Sequence, residues 1–290
     1  LRYFYAIAQS GSLTAAAKRL RVSQSALSVQ LKQLEDSLGV PLFDRGHKSL
    51  QLTEEGRLVF THAETIFRTG DELLATLHDR SGRYRSPLRV GAVATLSRNF
   101  QLEFLRELIG NDEVEVVIHS ASTRELLSQL DASQLDIVLT NQPVPRDAGA
   151  AFRSQLVGEQ PVSILGHPHH QGDSAFCFPD DLAGVPIILP ATTSVMRNSF
   201  DLVMERSGIG VLVAAEADDM AMLRLLAREM DALALLPPVV VRDELESGEL
   251  VELHRIEGLQ EAFYAITSVR RAANPYVQQL LEAATTTMQY

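Results

Sequence analysis

A chain of 290 residues, 46% hydrophobic and 22% charged, has a globular composition and enough length for two domains. Its single cysteine, Cys177, excludes a disulfide framework within the chain. It shows no basic-then-apolar leader and no run of about 18 uncharged apolar residues, so a cytoplasmic protein without membrane contact is expected. The net charge of -11 argues against nucleic acid as a partner of the chain as a whole.

The charge is unevenly spread. Residues 1–50 carry seven Lys or Arg against three Asp or Glu, and all three lysines, Lys18, Lys32 and Lys48, lie there. Residues 86–290 carry 14 basic and 28 acidic groups. A basic head on an acidic body is the asymmetry expected when the head alone meets phosphate. Leu1 is not a start methionine, so a few residues are expected to precede it.

Leu1 to Gln9 reads as a helix with Phe4, Ile7 and Ala8 on one side. Gly11 breaks it, and Ser12 caps a second helix whose Leu13, Ala16, Ala17 and Leu20 pack inward. A turn at Arg21 and Val22 leads to a third helix capped by Ser23. At 100° per residue, Leu27, Leu31, Leu34 and Leu38 form one stripe, with Ser25, Ser28, Val29, Lys32 and Asp36 opposite. The outward side chains near its N-terminus are short and polar, a shape that enters a groove about 12 Å wide. Two short helices, a turn and such a third helix make a helix-turn-helix. Leu42–Phe43 and Leu50–Leu52 then flank a basic, glycine-containing loop, which predicts a small hairpin, or wing.

The segment "SLTAAAKRLRVSQSALSVQLKQLEDSLGVPLFDRGHKSLQLTEEG" resembles the winged helix-turn-helix of LysR-type transcriptional regulators. The run Ala15–Ala17, then Leu20, Ser23–Gln24, Ser28, Leu34–Glu35, Leu38–Gly39, Leu42–Phe43, Arg45, Leu52–Thr53 and Gly56 stand at that family's spacing. The resemblance implies that Gln24, Ser25, Ser28 and Val29 face base edges, with Ser23 at the helix start. The helical wheel selects the last three of that four independently. Gln24 can pair bidentately with adenine, and serine serves donors or acceptors. The family often has a basic residue where this chain has Val29, which can reach only a thymine methyl or a sugar. Arg45, His47 and Lys48 would lie along the wing, Lys48 toward the minor groove or its phosphates, and Lys18, Arg19 and Lys32 are candidates for phosphate contacts. The competing reading of each basic residue is a solvated surface charge.

"TEEGRLVFTHAETIFRTGDELLATLHDR" reads as one long helix, capped by Thr53, with Glu54 and Glu55 at the positive end of its dipole. Val59, Ala63, Ile66, Gly70, Leu73 and Leu77 recur at four and three; Phe60, Phe67 and Leu74 recur every seven. Such a seam predicts cover by the same helix of a second copy. The resemblance agrees, implying a homodimer or homotetramer whose heads meet two half-sites of an interrupted palindrome in double-stranded DNA. Ser81 to Pro87 is the expected hinge. The expected domains are a DNA-binding head (1–56), a linker helix and hinge (57–86) and an effector-binding body (87–290).

From Leu88 onward, strands such as "LRVGAV", "VEVVIHS", "LDIVLT", "PVSILG", "VPIILP" and "LALLP" alternate with helices. Short buried runs separated by helices predict parallel, doubly wound sheets in two lobes. The expected first lobe comprises 88–158 and 261–290, the second 159–260. The resemblance extends here: the fold class is an all-α winged helix-turn-helix with a linker helix, followed by an α/β two-lobed, periplasmic-binding-protein-like effector domain. Positions matching the family's effector cleft are Thr95, Leu96 and Ser97, Ser122 and Thr123, Thr140 and Asn141, and Thr193 and Ser194. Each hydroxyl competes with a plain helix-capping role.

"AEADDMAMLRLLA", the glycine-free "AREMDALALLP" and "VELHRIEGLQEAFYAITSVRRAANPYVQQL" resemble the branch that regulates sodium/proton antiporter genes. That branch implies activation in response to sodium, lithium or pH, with RNA polymerase as a partner at the promoter. Glu216, Asp218 and Asp219 could hold a hard cation, against the plainer reading of solvated acids. "HPHHQGD" gathers His167, His169 and His170, but neighbouring ligands rarely share one ion, and no metal or cofactor is expected. Cys177, flanked by apolar residues, reads as core. No dinucleotide fingerprint, P-loop or nucleophile elbow is present, so no enzyme is expected. The alternatives are an enzyme or ligand-only sensor on the two-lobed fold, or an architectural DNA-binding protein; the size of the body argues against the latter.

Overall fold

The computed structural model describes residues 1–44, 50–78, 85–144, 151–172, 175–269 and 274–287. It divides into two compact units, Leu1–Tyr84 and Arg85–Tyr290.

In the first unit, α1 (Arg2–Ser10), α2 (Leu13–Leu20) and α3 (Gln24–Leu38) are each delimited by local signals. Gly11 ends α1 at φ 59° and Gly39 ends α3 at φ 74°, in the left-handed region that glycine enters without penalty. Ser12 accepts from the Ala15 N–H and Ser23 from the Ala26 N–H, N-caps that contribute about 1 kcal/mol each. Phe4, Ile7, Ala16, Ala17, Leu27, Leu31, Leu42 and Phe43 form the core. β1 (Phe43–Asp44) and β2 (Gln51–Leu52) pair antiparallel as the base of the wing.

Leu38, expected inside, is 47% exposed. The inward place is taken by Glu35, whose buried Oε1 accepts from the Leu42 N–H at 2.8 Å. The carboxylate thus ties α3 to the start of the wing and satisfies an amide that water does not reach. Glu35→Ala would leave that amide unpaired. It should cost about 1–3 kcal/mol, visible as faster hydrogen exchange at Leu42; unchanged protection there would contradict this role.

α4 (Glu54–His78) corrects the expected seam. Its first half is covered by its own unit: Ala63 is fully buried, and Val59 and Phe60 pack on the core. Tyr5 of α1 stands 5.3 Å from the Phe60 ring and 5.0 Å from Phe67. Ile66, Leu73, Leu74 and Leu77 remain exposed, as does Gly70.

In the second unit the described strands form one mixed sheet, where two separate parallel sheets were expected. On one side β3 (Ser86–Val93) pairs in parallel with β4 (Val114–Ala121) and β5 (Ile137–Thr140). On the other, β7 (Pro186–Pro190) pairs in parallel with β8 (Leu212–Ala217) and β9 (Leu233–Leu236). Two long antiparallel strands, β6 (Phe152–Gly166) and β10 (Val251–Ser268), join the halves. Hydrophobic periodicity records which residues are buried but not strand direction, which is why this crossing pair was missed. Each half has its own core, one around Leu88, Phe100, Leu139, Phe263 and Leu280, the other around Ile164, Ile188, Phe200, Leu223 and Leu235. Helices α5 (Arg98–Phe104), α6 (Thr123–Asp131) and α10 (Pro275–Thr287) contribute to the first half. Helices α7 (Val195–Ser207), α8 (Met220–Glu229) and α9 (Arg242–Ser247) contribute to the second.

Candidate DNA interface and effector cleft

α3 presents two chemically distinct faces. Leu27, Leu31 and Glu35 are buried, whereas Gln24, Ser25, Ser28, Val29 and Lys32 are exposed, Val29 by 55%. Ser23 is committed to its own helix: besides capping Ala26, its hydroxyl lies 3.0 Å from that of Ser25. Lys18 and Arg19 fall in the last turn of α2, and Arg19 Nη2 donates to Gln9 Oε1 at 2.9 Å, which fixes its direction. Arg45, His47 and Lys48 lie outside the described residues.

The nine expected cleft residues divide sharply. Leu96 and Ser97 are fully buried, and Thr140 nearly so. Leu96 belongs to the first core, Ser97 caps α5 by accepting from the Phe100 N–H, and Thr140 exchanges hydrogen bonds with the backbone of Gln142. These three are engaged by the fold itself. Ser122 is likewise occupied, in a capping box with Glu125. Thr123 and Thr193 are exposed, and the Ser194 side chain makes no capping bond at the start of α7.

Thr95 and Asn141 do converge. The Thr95 hydroxyl donates to Asn141 Oδ1 at 3.5 Å, and Asn141 Nδ2 donates to Glu261 Oε1 at 3.3 Å. Glu261 lies on β10 paired with Gln160 of β6, immediately after an irregularity between Arg255 and Gln260 where the strand passes from one core to the other. It is 5% exposed, and its Oε2 is buried without a hydrogen-bond partner. Burial pushes its carboxyl up to about 7, and the Asn141 bond offsets this only in part. Sequence reasoning missed Glu261 because the alternation of a strand marks an inward position, and nothing local marks it as polar and unsatisfied.

The halves are also latched directly. Asn99 of α5 donates to the carbonyls of Val239 at 2.9 Å and Val240 at 3.4 Å, in the 3-10 turn Pro238–Val241. Arg242 Nη1 lies 3.2 Å from Glu103 Oε2. A cavity of about 440 Å³ opens beside this latch, bordered by Phe100, Val239, Arg242, Arg255 and Phe263. None of the nine expected cleft residues lines it.

Two of the three acids read as a cation site, Glu216 and Asp219, are engaged elsewhere. Glu216 accepts from Arg197 Nη1 at 2.6 Å, and Asp219 caps α8 through the Ala221 and Met222 amides. Cys177, expected in the core, is exposed, and desolvation together with Asp180 and Asp181 holds its thiol above the ordinary range.

A family model described as the bacterial regulatory helix-turn-helix of the lysR family matches residues 1–57, and one described as the LysR substrate binding domain matches residues 81–289. The chain belongs to the LysR family. It is a DNA-binding transcriptional regulator with an effector domain, and the enzyme reading falls away. Among similar proteins, the LysR member "Transcriptional activator protein NhaR" of Escherichia coli K12 is 26% identical over 97% of this chain and 92% of its own length. "DNA-binding transcriptional dual regulator OxyR" of the same strain is 27% identical over 98% and 93%. Among solved structures, a full-length OxyR variant from Pseudomonas aeruginosa superposes with a TM-score of 0.64 at 20% identity, covering 99% of this chain and 94% of that one. Full-length CbnR in complex with its target DNA gives 0.62 at 23% identity, covering 98% and 97%. Among the described residues of this LysR regulator, no helix is long and apolar enough to cross a membrane.

Proposed function

We propose that this LysR regulator is a cytoplasmic activator that reads DNA with the exposed face of α3 and senses a small ionic effector where its lobes meet. The observation that carries the DNA reading is the division of α3: Leu27, Leu31 and Glu35 are sealed into the head, while Gln24, Ser25, Ser28 and Val29 are exposed. Residues 1–56 act as the head, 57–86 as connector and hinge, and 87–290 as the effector body. The exposed leucines of α4 suit a second copy of the same helix, which presents two heads to two half-sites of an interrupted palindrome. Lys18, Lys32 and the wing's Arg45, His47 and Lys48 serve the phosphates. At the promoter, RNA polymerase is the partner of an activator.

Gln24→Ala should cost about 1–3 kcal/mol of discrimination at one adenine of each half-site. Binding of the full chain to operator fragments substituted base by base measures this. Retained discrimination at every base would mean that α3 is not the reader.

The ionic effector is supported by the Thr95–Asn141–Glu261 chain, where a buried carboxyl oxygen is left for a proton or a small cation such as sodium or lithium. Supplying that charge shifts the population between two lobe arrangements, and the angle between heads follows. A peroxide response, suggested by the "Hydrogen peroxide-inducible genes activator" of E. coli O6:H1, 27% identical over 98% of this chain, is disfavoured here. One cysteine cannot close a disulfide within the chain, and a raised thiol is a poor nucleophile.

A further inference from the structure

The turn that follows β6 brings together a donor set that neither the fold nor the DNA interface uses. Pro168–His170 form a 3-10 turn, so His169 and His170 stay side by side, their rings 4.3 Å apart and tilted by 35°. Asp231 lies between α8 and β9, and β9 pairs with β6 at Leu165 and Ala234, so the sheet carries the two segments to the same edge. His169 Nε2 lies 2.7 Å from Asp231 Oδ1, and His170 Nε2 lies 3.0 Å from the same oxygen. Neighbouring histidines were not expected to share one ion; here both rings approach one carboxylate oxygen.

We propose that His169, His170 and Asp231 bind a divalent first-row transition ion of the zinc or cobalt kind. Two imidazoles and a carboxylate suit such ions. The three ligand atoms lie within 4.8 Å of one another. Tetrahedral bonds of about 2.0–2.2 Å require separations of roughly 3.3 Å, so an ion is admitted by small side-chain shifts.

A simple ion pair explains the geometry less well. His169 Nε2 lies 2.7 Å from Asp231 Oδ1, and His170 Nε2, 3.0 Å from the same oxygen, is buried with no partner beyond that carboxylate. Two protonated rings at this spacing would repel.

The site is also supported from behind. The His167 ring stacks nearly parallel to His169 at 5.7 Å. Gly166 leaves room for His170, since a Cβ there would stand 3.2 Å from its Cδ2. His169 and Asp231 face solvent, leaving coordination positions open to water, as in an exchangeable site rather than a closed structural one. A bound ion would clamp the turn after β6 to the loop before β9.

The test uses the full-length, chelator-stripped chain without a histidine tag, titrated with Co²⁺ by calorimetry and visible absorption at pH 7.5. One ion per chain is expected. Asp231→Asn and His169→Ala, both at exposed positions, should each weaken binding by at least about tenfold. Binding should also fade at pH 5.5 as the imidazoles take up protons. Absence of binding in the wild type, or binding that both variants leave unchanged, overturns the proposal.

Discussion

Gly56→Ala should lower the stability of the DNA-binding unit by about 2–3 kcal/mol, against the direction that helix propensity dictates. Alanine ordinarily improves on glycine inside a helix by about 1 kcal/mol. At position 56, however, an added Cβ would lie 2.0 Å from the carbonyl oxygen of Leu42 and 2.9 Å from its carbon. Both are backbone atoms and cannot rotate aside. The same carbonyl accepts from the Thr53 N–H at 3.1 Å, and the Thr53 hydroxyl donates to the Pro41 carbonyl while accepting from the Gly56 N–H. The start of α4 is therefore locked to the strand that opens the wing, and relieving the clash breaks several bonds together. Gly70→Ala, in the same helix, meets nothing within 4 Å and supplies the control: it should stabilise by up to about 1 kcal/mol. Thermal unfolding followed by circular dichroism, with operator affinity measured in parallel, reads both variants. Equal stabilisation by the two alanines would refute the account of this junction.

Glu261→Gln should remove a pH-dependent burden from the effector domain. With the carboxyl raised from 4.5 to about 7, the folded chain holds a proton that the unfolded chain has already released. The contribution of Glu261 to stability is therefore greatest below about pH 4.5, declines as the pH rises toward 7, and is level beyond it. The whole loss is roughly 3 kcal/mol. Glutamine carries no charge to desolvate, so the variant should match the wild type near pH 4.5 and exceed it at pH 8 by up to that amount. Parallel unfolding curves across this range would show that Glu261 is not the group responsible. If a proton or small cation is the effector, operator binding by the variant should also lose its dependence on pH or salt type. That second readout separates the sensing role from mere stability.

Much of the head was legible because its signals are local. Gly11, Ser12, Ser23 and Gly39 act within three or four residues of themselves, and the 3.6-residue turn sorts Leu27 and Leu31 from Ser25, Ser28 and Val29 by arithmetic alone. Leu38 was misplaced because a stripe of leucines does not show where the neighbouring core stops. The cleft was less legible: the hydroxyls of Ser97 and Ser122 belong to a motif that caps helices as readily as it binds ligands, and here capping prevails.

By itself, then, the amino-acid order determined the helix boundaries, the apolar faces, the basic head and the family, since each depends on spacing along the chain or on composition. Folding in three dimensions decided what covers each face and what meets across it. Tyr5 packs on Phe60 and Phe67, while Ile66, Leu73 and Leu77 farther along α4 stay exposed. Strands β6 and β10 run antiparallel through both cores, and Glu261 meets Asn141 from 120 positions away. His169 meets Asp231 across 62 positions. Periodicity states that a side chain turns inward; only the packed partners determine whether it finds carbon, a hydrogen bond or an unsatisfied oxygen.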